Sequence, residues 1–409
     1  LTKSLKLNSL LMKILFLTDN FPPESNAPAT RTYEHCKKWV DMGEDVTVIT
    51  CFPNFPQGKV FEGYKNKLYQ KEVIDGIKVI RVWSYISANK GFAKRVLDFM
   101  SYMLMAFFTG LFVKTDKIVA TSPQFFTAIA GRWLSFWKNK PWVMEVRDIW
   151  PESIVAVGAS KRNKAIQFFE WLELRMYKSA NQIIVVTDSF KREILKKSMV
   201  SPRKISVIKN GANLDLFKPI GKSEELIEKL GLEDKFIIGY IGTHGMAHGL
   251  DFVLKSASKI SDPSIHFLFV GSGAAKKELL ELNEELGLQN TTFIDAVPKV
   301  EIAKYISILD VGLVNLRDSE TFRSVIPSKM FELTAMVKPL LLGVEGESKE
   351  MLLKYKLGYS FYPEDEDQFL NAIEKIKSFD SSMWNFDQFL ADYNRENLAL
   401  KMHAILKEK

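Results

Sequence analysis

Residues 236–260 read FIIGYIGTHGMAHGLDFVLKSASKI, and three kinds of segment follow one another there. FIIGYIG is apolar on both faces, as a strand in the middle of a covered parallel sheet must be. Gly242, Gly245 and Gly249 then open a turn whose bare backbone lets another group approach closely. From Leu250 to Ile260 apolar residues recur at helical spacing. Strand, glycine-rich turn and helix make up half of a βαβ unit.

The pattern continues on both sides. Downstream come strand IHFLFVG, helix 274–286, TTFID, helix 300–308, VGLVNL, helix 328–336 and strand PLLLGV. Upstream, a charged helix over 223–230 follows Pro219. Before it lies a second series. KILFLTDNF begins at Met12, a helix runs over 30–42 with Gly43 at its C-terminal end, and Val46 starts the next strand. KVIRVW, KIVATS, WVMEVRD, QIIVVT and ISVIKN follow as strands, with helices over 91–113 and 124–138. Alternating β and α segments with nearly continuous apolar strands predict parallel sheets covered on both faces. A chain of 409 residues is too long for one core. The expected class is therefore α/β, with two Rossmann-like domains over 12–215 and 216–384 and a last amphipathic stretch, 385–409, returning to the first.

Hydrophobic residues at 46% and charged residues at 26% exclude a disordered chain. Cys36 falls in a helix and Cys51 at a strand end, which suits free thiols in a reducing compartment. The first eleven residues show no secretory cleavage pattern and are expected to lie outside the fold. The expected location is the cytoplasm. Residues 86–140 hold eight Lys/Arg (Lys90, Lys94, Arg95, Lys114, Lys117, Arg132, Lys138, Lys140) against Asp98 and Asp116, and are rich in large aromatics. That combination suits an anionic membrane surface, here the inner face of the plasma membrane. The uncharged run from Phe99 to Val113 is short of the ~20 residues a spanning helix needs. No nucleic-acid-binding motif accompanies the basic residues.

Ligands of open parallel sheets bind beyond the carboxyl ends of the strands, and four loops there are candidates. In the turn after FIIGYIG, Gly242, Thr243, His244, Gly245 and His248 offer backbone amides and imidazoles to phosphate. In RSVIPSKMFE, Ser328 is the expected N-cap of a helix whose free amides hold an anion, Lys329 adds a charge, and Glu332 is placed to bind a vicinal diol such as ribose. In RDIWPES, Asp148 ends a strand, where it can contact substrate hydroxyls or take a proton from an acceptor; the alternative is a carboxylate capping its own turn. In the loop 20–31, Asn26, Ala27 and Thr30 are small enough to admit substrate, and Arg31 reads as part of a solvated helix face. Gly271-Ser-Gly273 lacks the third glycine of a dinucleotide fingerprint. The chain has no P-loop motif and no clustered ligand set, so no metal is expected.

With these loops in view the chain resembles family 4 glycosyltransferases, most of all bacterial enzymes of O-antigen, capsule or exopolysaccharide assembly, including a fucosamine-transferase-like branch. The matching segments are KILFLTDNFPPESNAPATR, RDIWPES, Asn210-Gly-Ala-Asn with Phe217-Lys-Pro, GYIGTHGMAHGLD and VIPSKMFELTAMVKP. The resemblance implies the GT-B fold, with the two sheets facing each other across a cleft. It also implies a retaining, metal-independent transfer from a nucleotide sugar, most often UDP-linked, to a glycan or polyprenyl-diphosphate-linked acceptor. It assigns the ribose to Glu332, donor sugar and phosphate to the loop Val325 to Lys329, with Ile326, Pro327, Ser328 and Lys329, and the base pocket to 293–297, hence Ala296; Ser324, just before that loop, is counted with the donor side. Asn210 and Gly271 join the donor side. Two positions depart from the family pattern: Ser324 stands where a first glutamate is usual, and Thr243 and His248 stand where Arg and Lys are usual. Lys329 and His248 are then expected to supply the phosphate charge. A non-hydrolysing UDP-sugar epimerase would instead convert its substrate without an acceptor. A two-domain binding protein would close on a ligand without chemistry.

Overall fold

The computed structural model describes residues 11–55, 58–86, 92–122, 125–150, 164–380 and 384–408. They divide into two compact units. One comprises the described residues through Lys209 together with those from Leu398 onward; the other is Asn210–Asn397.

The first unit runs β1 (Lys13–Leu17), α1 (Ala27–Asp41), β2 (Asp45–Cys51), β3 (Tyr69–Ile74), β4 (Ile77–Val82), α2 (Phe92–Leu111), β5 (Lys117–Thr121), α3 (Phe125–Lys138), β6 (Trp142–Val146), α4 (Lys164–Ser179), β7 (Gln182–Val185), α5 (Asp188–Ser198) and β8 (Ile205–Val207). Its sheet has the order β3-β4-β2-β1-β5-β6-β7-β8. Every pair is parallel except β3 with β4. Successive side chains of a strand point to opposite faces. Leu15, Leu17 and Ile49 accordingly pack beneath α2 and α3, while Ile14, Phe16, Val46 and Val48 pack with Trp39 of α1 on the other side. Cys36 and Cys51 are buried and free, on opposite faces of the sheet.

The second unit runs α6 (Glu224–Leu230), β9 (Phe236–Ile241), α7 (Leu250–Ala257), β10 (Ile265–Val270), α8 (Lys276–Glu285), β11 (Thr291–Ile294), α9 (Lys299–Ser307), β12 (Val311–Asn315), α10 (Ser328–Ala335), β13 (Leu340–Gly343), α11 (Glu347–Tyr355), β14 (Gly358–Ser360), α12 (Glu366–Ile376) and α13 (Phe386–Tyr393). Its sheet is wholly parallel, in the order β11-β10-β9-β12-β13-β14. That is the doubly wound strand order 3-2-1-4-5-6, and the parallel strands of the first unit begin with the same order. The order reverses between β1 and β5 in one unit and between β9 and β12 in the other.

Several boundaries differ from the sequence reading. The expected single stretch 385–409 is two helices, broken at Asn394, where ψ is 120°. The first, α13, buries Phe389 and Tyr393 in the second unit. The next, α14 (Arg395–Lys407), packs Leu398, Met402 and Leu406 against β1 and α1 of the first unit, with the Trp39 indole donating to the carbonyl of Ala399 at 2.9 Å. The units divide at Lys209 rather than at 215 because Ala212 bridges to Asn394 and Phe217 lies in the second core. β3 went unread although Asp75 and Gly76, both at positive φ (47° and 83°), form a two-residue hairpin turn. Helices α4, α5, α11 and α12 and the short edge strand β14 went unread too.

Among the described residues no helix is long and apolar enough to cross a membrane. Helix α2 instead buries Tyr102, Met103, Ala106 and Phe107 and turns Leu97, Met100, Leu104 and Phe108 outward, one side every three or four residues.

Candidate functional site

The switch point of the second sheet lies between β9 and β12, and the chain leaves β9 into the glycine turn already singled out. Gly242 has φ 144°, a conformation closed to most residues. A Cβ there would also stand 3.1 Å from Nζ of Lys329. Gly271, at the end of β10, has φ 150°, and a Cβ on it would come within 1.9 Å of the Gly242 carbonyl oxygen. The turns after β9 and β10 therefore stack backbone on backbone. The N–H of His244 donates to the carbonyl of Ser272 and the N–H of Ala275 to that of His244, both at 2.9 Å.

Three basic side chains gather on the ring of Tyr240, the fifth residue of β9. Lys329 reaches it from the first turn of α10, its Nζ 3.4 Å from the ring centroid. The imidazoles of His244 and His248 each lie 5.9 Å from the same ring. The Lys329 amine and both ring nitrogens of His244 are buried and make no hydrogen bond, while Nδ1 of His248 lies 3.3 Å from the Gly245 carbonyl oxygen. Burial holds the Lys329 ammonium well below the usual lysine range, against the opposing charge of Glu332. Burial pushes both histidines down to about 4, with Lys276 and Lys329 adding to the effect on His244 and Lys329 to that on His248.

Helix α10 starts one residue earlier than expected. Pro327, not Ser328, holds the cap position, with φ −61° and ψ 133°, and no side chain caps the helix. The proline supplies the extended backbone a cap requires, so Ser328 becomes the first helical residue and its hydroxyl does not cap the turn. Glu332, one turn further, is half-buried and lies 3.8 Å from Lys299 Nζ. Ser324 ends a short 3-10 turn, its hydroxyl donating to the Thr321 carbonyl at 2.9 Å. The side chain of Ile326 is buried in the core and so is spent on packing. Thr243 and Ala296 are exposed, and Asn210 is half-buried at the start of the unit. Phe293, at the base-pocket position, stacks on Phe269 at 4.7 Å.

Two further residues shape this site and were not read from the sequence. Asn315, the last residue of β12, donates to the His248 carbonyl at 2.8 Å. Arg317 donates to the Met246 carbonyl at 2.8 Å, to Asp251 at 2.6 Å and to Glu364 at 2.8 Å. Together they hold the 246–249 segment from the strand beyond the switch point. Their one legible signal was position, directly after VGLV.

In the first unit, Asp148 follows β6 by two residues and is half-buried; the N–H groups of Arg147 and Asp148 donate to Ser122 Oγ at 2.7 and 3.3 Å. Pro151, Glu152 and Ser153 of RDIWPES, and Lys90 of the basic segment, lie outside the described residues. Asn26 is the N-cap of α1, accepting from the Ala29 N–H at 2.9 Å, with Ala27 as the first helical residue and Thr30 buried. Arg31 does not lie on a solvated face. Its side chain is 2% exposed and ion-paired at 3.0 Å with Glu145 of β6, itself 1% exposed, and it donates to the carbonyls of Ile208 and Lys209 at 2.9 and 2.8 Å. The helix delivers it inward because a carboxylate waits beneath. At the carboxyl end of β1, burial raises the carboxyl of Asp19, whose Oδ1 makes no hydrogen bond. Burial also pushes Glu24, and burial with Asp19 pushes Asp98, to about 7. None of these three acids was singled out in advance.

A family model described as "Glycosyl transferases group 1" matches residues 222–389, and one described as "Glycosyltransferase Family 4" matches residues 28–216. The chain is 25% identical over 335 residues to the putative colanic acid biosynthesis glycosyl transferase WcaI of Escherichia coli (strain K12), covering 80% of this chain and 81% of that protein. The structure superposes on a sucrose-phosphate synthase from Thermosynechococcus elongatus with a TM-score of 0.76 at 17% identity, over 96% of this chain and 98% of that one. It superposes on Anabaena HepE in complex with UDP and glucose with a TM-score of 0.73 at 16% identity, over 97% and 100%. The structural likenesses establish the fold.

Proposed function

Because the chain belongs to the family 4 glycosyltransferases of GT-B fold, we propose that it transfers a sugar from a UDP-linked donor to a glycan or polyprenyl-diphosphate-linked acceptor in bacterial surface polysaccharide assembly, with retention at the anomeric carbon and without a metal ion. The observation that carries this reading is the basic cluster at the β9–β12 switch point, Lys329 and His244 without a hydrogen-bond partner and His248 beside them, next to the N-terminus of α10, which no side chain caps. Breaking a glycosyl–phosphate bond leaves negative charge on the departing diphosphate. Fixed amides and cations aimed at that charge are the most effective stabilisers a protein can offer. Lys329, His248 and the amides of the 242–245 turn and of α10 would receive the diphosphate, and Glu332 the ribose. Asp148 would position acceptor hydroxyls. HepE, which carries UDP and glucose, and WcaI, which is assigned to colanic acid synthesis, support this choice of donor and product class.

A thermal-shift panel of UDP-, GDP- and dTDP-sugars in excess EDTA tests the reading. UDP-sugars are expected to raise the melting temperature, and labelled sugar to pass to a lipid-linked acceptor in the same buffer. Stabilisation by another nucleotide alone would overturn the choice of UDP. Transfer that stops in EDTA and returns with Mn²⁺ would overturn the metal-free scheme. Conversion of the UDP-sugar without acceptor would identify an epimerase.

The same reading places the enzyme at a membrane surface, where such an acceptor resides. On α2, Leu97, Met100, Leu104 and Phe108 face outward, and Phe112 beyond the helix is 89% exposed. Trp133, Phe136 and Trp137 on α3 and Phe168 and Trp171 on α4 are exposed as well, and the guanidinium of Arg175 sits 4.4 Å over the Trp171 ring. Lys94 and Arg95 precede the α2 stripe. Aromatic side chains flanked by cations are suited to an anionic headgroup layer, at ~1 kcal/mol per basic residue. Reversing the charges of Lys94 and Arg95 together is expected to cut co-sedimentation with phosphatidylglycerol-rich vesicles about tenfold or more. Undiminished sedimentation would rule out the patch.

A further inference from the structure

We propose that binding of the nucleoside diphosphate is coupled to proton uptake by Lys329, His248 and His244, the three bases gathered on the Tyr240 ring. The proposal rests on the donor-site reading above and adds to it a proton count.

The argument is geometric first. An ammonium carries three hydrogens and normally spends them on acceptors. Nζ of Lys329 is buried and has none; the π face of Tyr240 lies at 3.4 Å and the α-carbon of Gly242 leaves just enough room beside it. His244 is wholly buried with neither ring nitrogen bonded, and His248 has one long contact to a carbonyl. Among the described residues none of the three stands in an ion pair. The acid that acts on Lys329 is Glu332, which Lys299 already engages at 3.8 Å. On the other side, Asp295 pulls His244 towards the charged form, but Lys276 holds Asp295 at 2.6 Å and pushes the opposite way. An unpaired charge in such surroundings is costly, so the cluster sheds protons instead. The direction of all three shifts agrees: each base is held below its ordinary value.

A diphosphate supplies the acceptors and the negative charge that the cluster lacks. Each base then regains affinity for its proton. The sign follows by linkage. The bound state holds more protons than the empty one at any pH between the empty-site and bound-site values, so affinity falls as pH rises through that window. For the histidines the window opens at about 4. For Lys329 it extends upward towards the ordinary lysine value of ~10.4. Near pH 7.5 a terminal phosphate is past its second ionisation at ~6, so uptake measured there belongs to the protein.

Isothermal titration of the full chain with UDP at pH 7.5, in buffers of different ionisation enthalpy, gives the proton count as the slope of observed heat against buffer heat. The expected slope is an uptake of roughly one proton per UDP. Lys329→Met should bind UDP more weakly with most of that slope gone, and His248→Gln should lose uptake mainly when the titration is repeated at pH 6. UDP binding with zero slope, or with proton release, would overturn the coupling while leaving the donor site intact. Full uptake in Lys329→Met would overturn the assignment to lysine. If neither UDP nor GDP binds, the donor-site reading falls, and the coupling with it.

Discussion

Replacement of Lys329 by alanine is expected to lower turnover by ~10²–10³, with a much smaller change in donor KM. The side chain is the one lysine of the Tyr240 cluster, and its amine, without a hydrogen-bond partner, is stored against the ring rather than in solvent. Its value is greatest where charge develops, on the phosphate oxygen that leaves the sugar, and an interaction strengthened in the transition state appears in kcat. Glu332→Ala should behave differently. A carboxylate that binds ribose holds a part of the donor that does not change during transfer, so its loss should raise donor KM with kcat nearly kept. Steady-state kinetics on both variants separate the two roles. Wild-type kcat in Lys329→Ala, or an unchanged KM in Glu332→Ala, would remove the residue from the site. Arginine should not rescue position 329, because a planar guanidinium is too large for a berth bounded by Tyr240 and the bare α-carbon of Gly242.

The fold was legible because parallel strands buried on both faces announce themselves. FIIGYI and LLLG are apolar throughout and IHFLFV is so but for His266, and each is a buried strand of the second sheet, the first residue of FIIGYI alone being partly exposed. The glycine turn and the IPSKMFE segment were legible for a similar local reason: bare backbone and a proline-led helix start are written in consecutive residues. Arg31 was not. A helix pattern shows that a position faces inward or outward only through apolar residues, and the partner that draws Arg31 inward, Glu145, lies 114 residues away. Asn315 and Arg317 escaped for the same reason, since the turn they hold lies 66 to 71 residues earlier in the chain. Ser328 was misplaced by one residue because a serine after a proline looks like a cap, whereas the backbone angles of Pro327 already fill that role. Local signals located the glycine turn and the start of α10 to within one residue, whereas a pairing across the sheet leaves no mark in neighbouring residues.

That pairing across the sheet carries the second large expected effect. Arg31→Met leaves the carboxylate of Glu145 buried and without its principal partner, and breaking a buried pair from one side costs ~3–5 kcal/mol. The lower part of that range is expected, because Arg147 also acts on Glu145 and the Thr121 hydroxyl donates to it at 2.6 Å. Two carbonyls, of Ile208 and Lys209, also lose their donor. Burial alone would raise the Glu145 carboxyl; Arg31, Arg147 and Thr121 outweigh it and hold it below the ordinary value. In the native chain this group therefore adds stability above the unfolded glutamate value of ~4.3, and the gain is lost as pH falls through the folded one. In the variant burial prevails and the carboxyl moves up, so the variant gains stability on acidification through its raised folded value. The difference between the two chains should shrink from pH 7.5 to pH 5. Urea unfolding followed by tryptophan fluorescence reads the first unit, since all eight tryptophans but Trp384 lie in it. Adding Glu145→Leu to Arg31→Met should restore part of the loss, as the buried charge goes with it. A pH-independent difference, or a double variant as unstable as the sum of the two single ones, would mean that Arg31 acts by filling space rather than by charge.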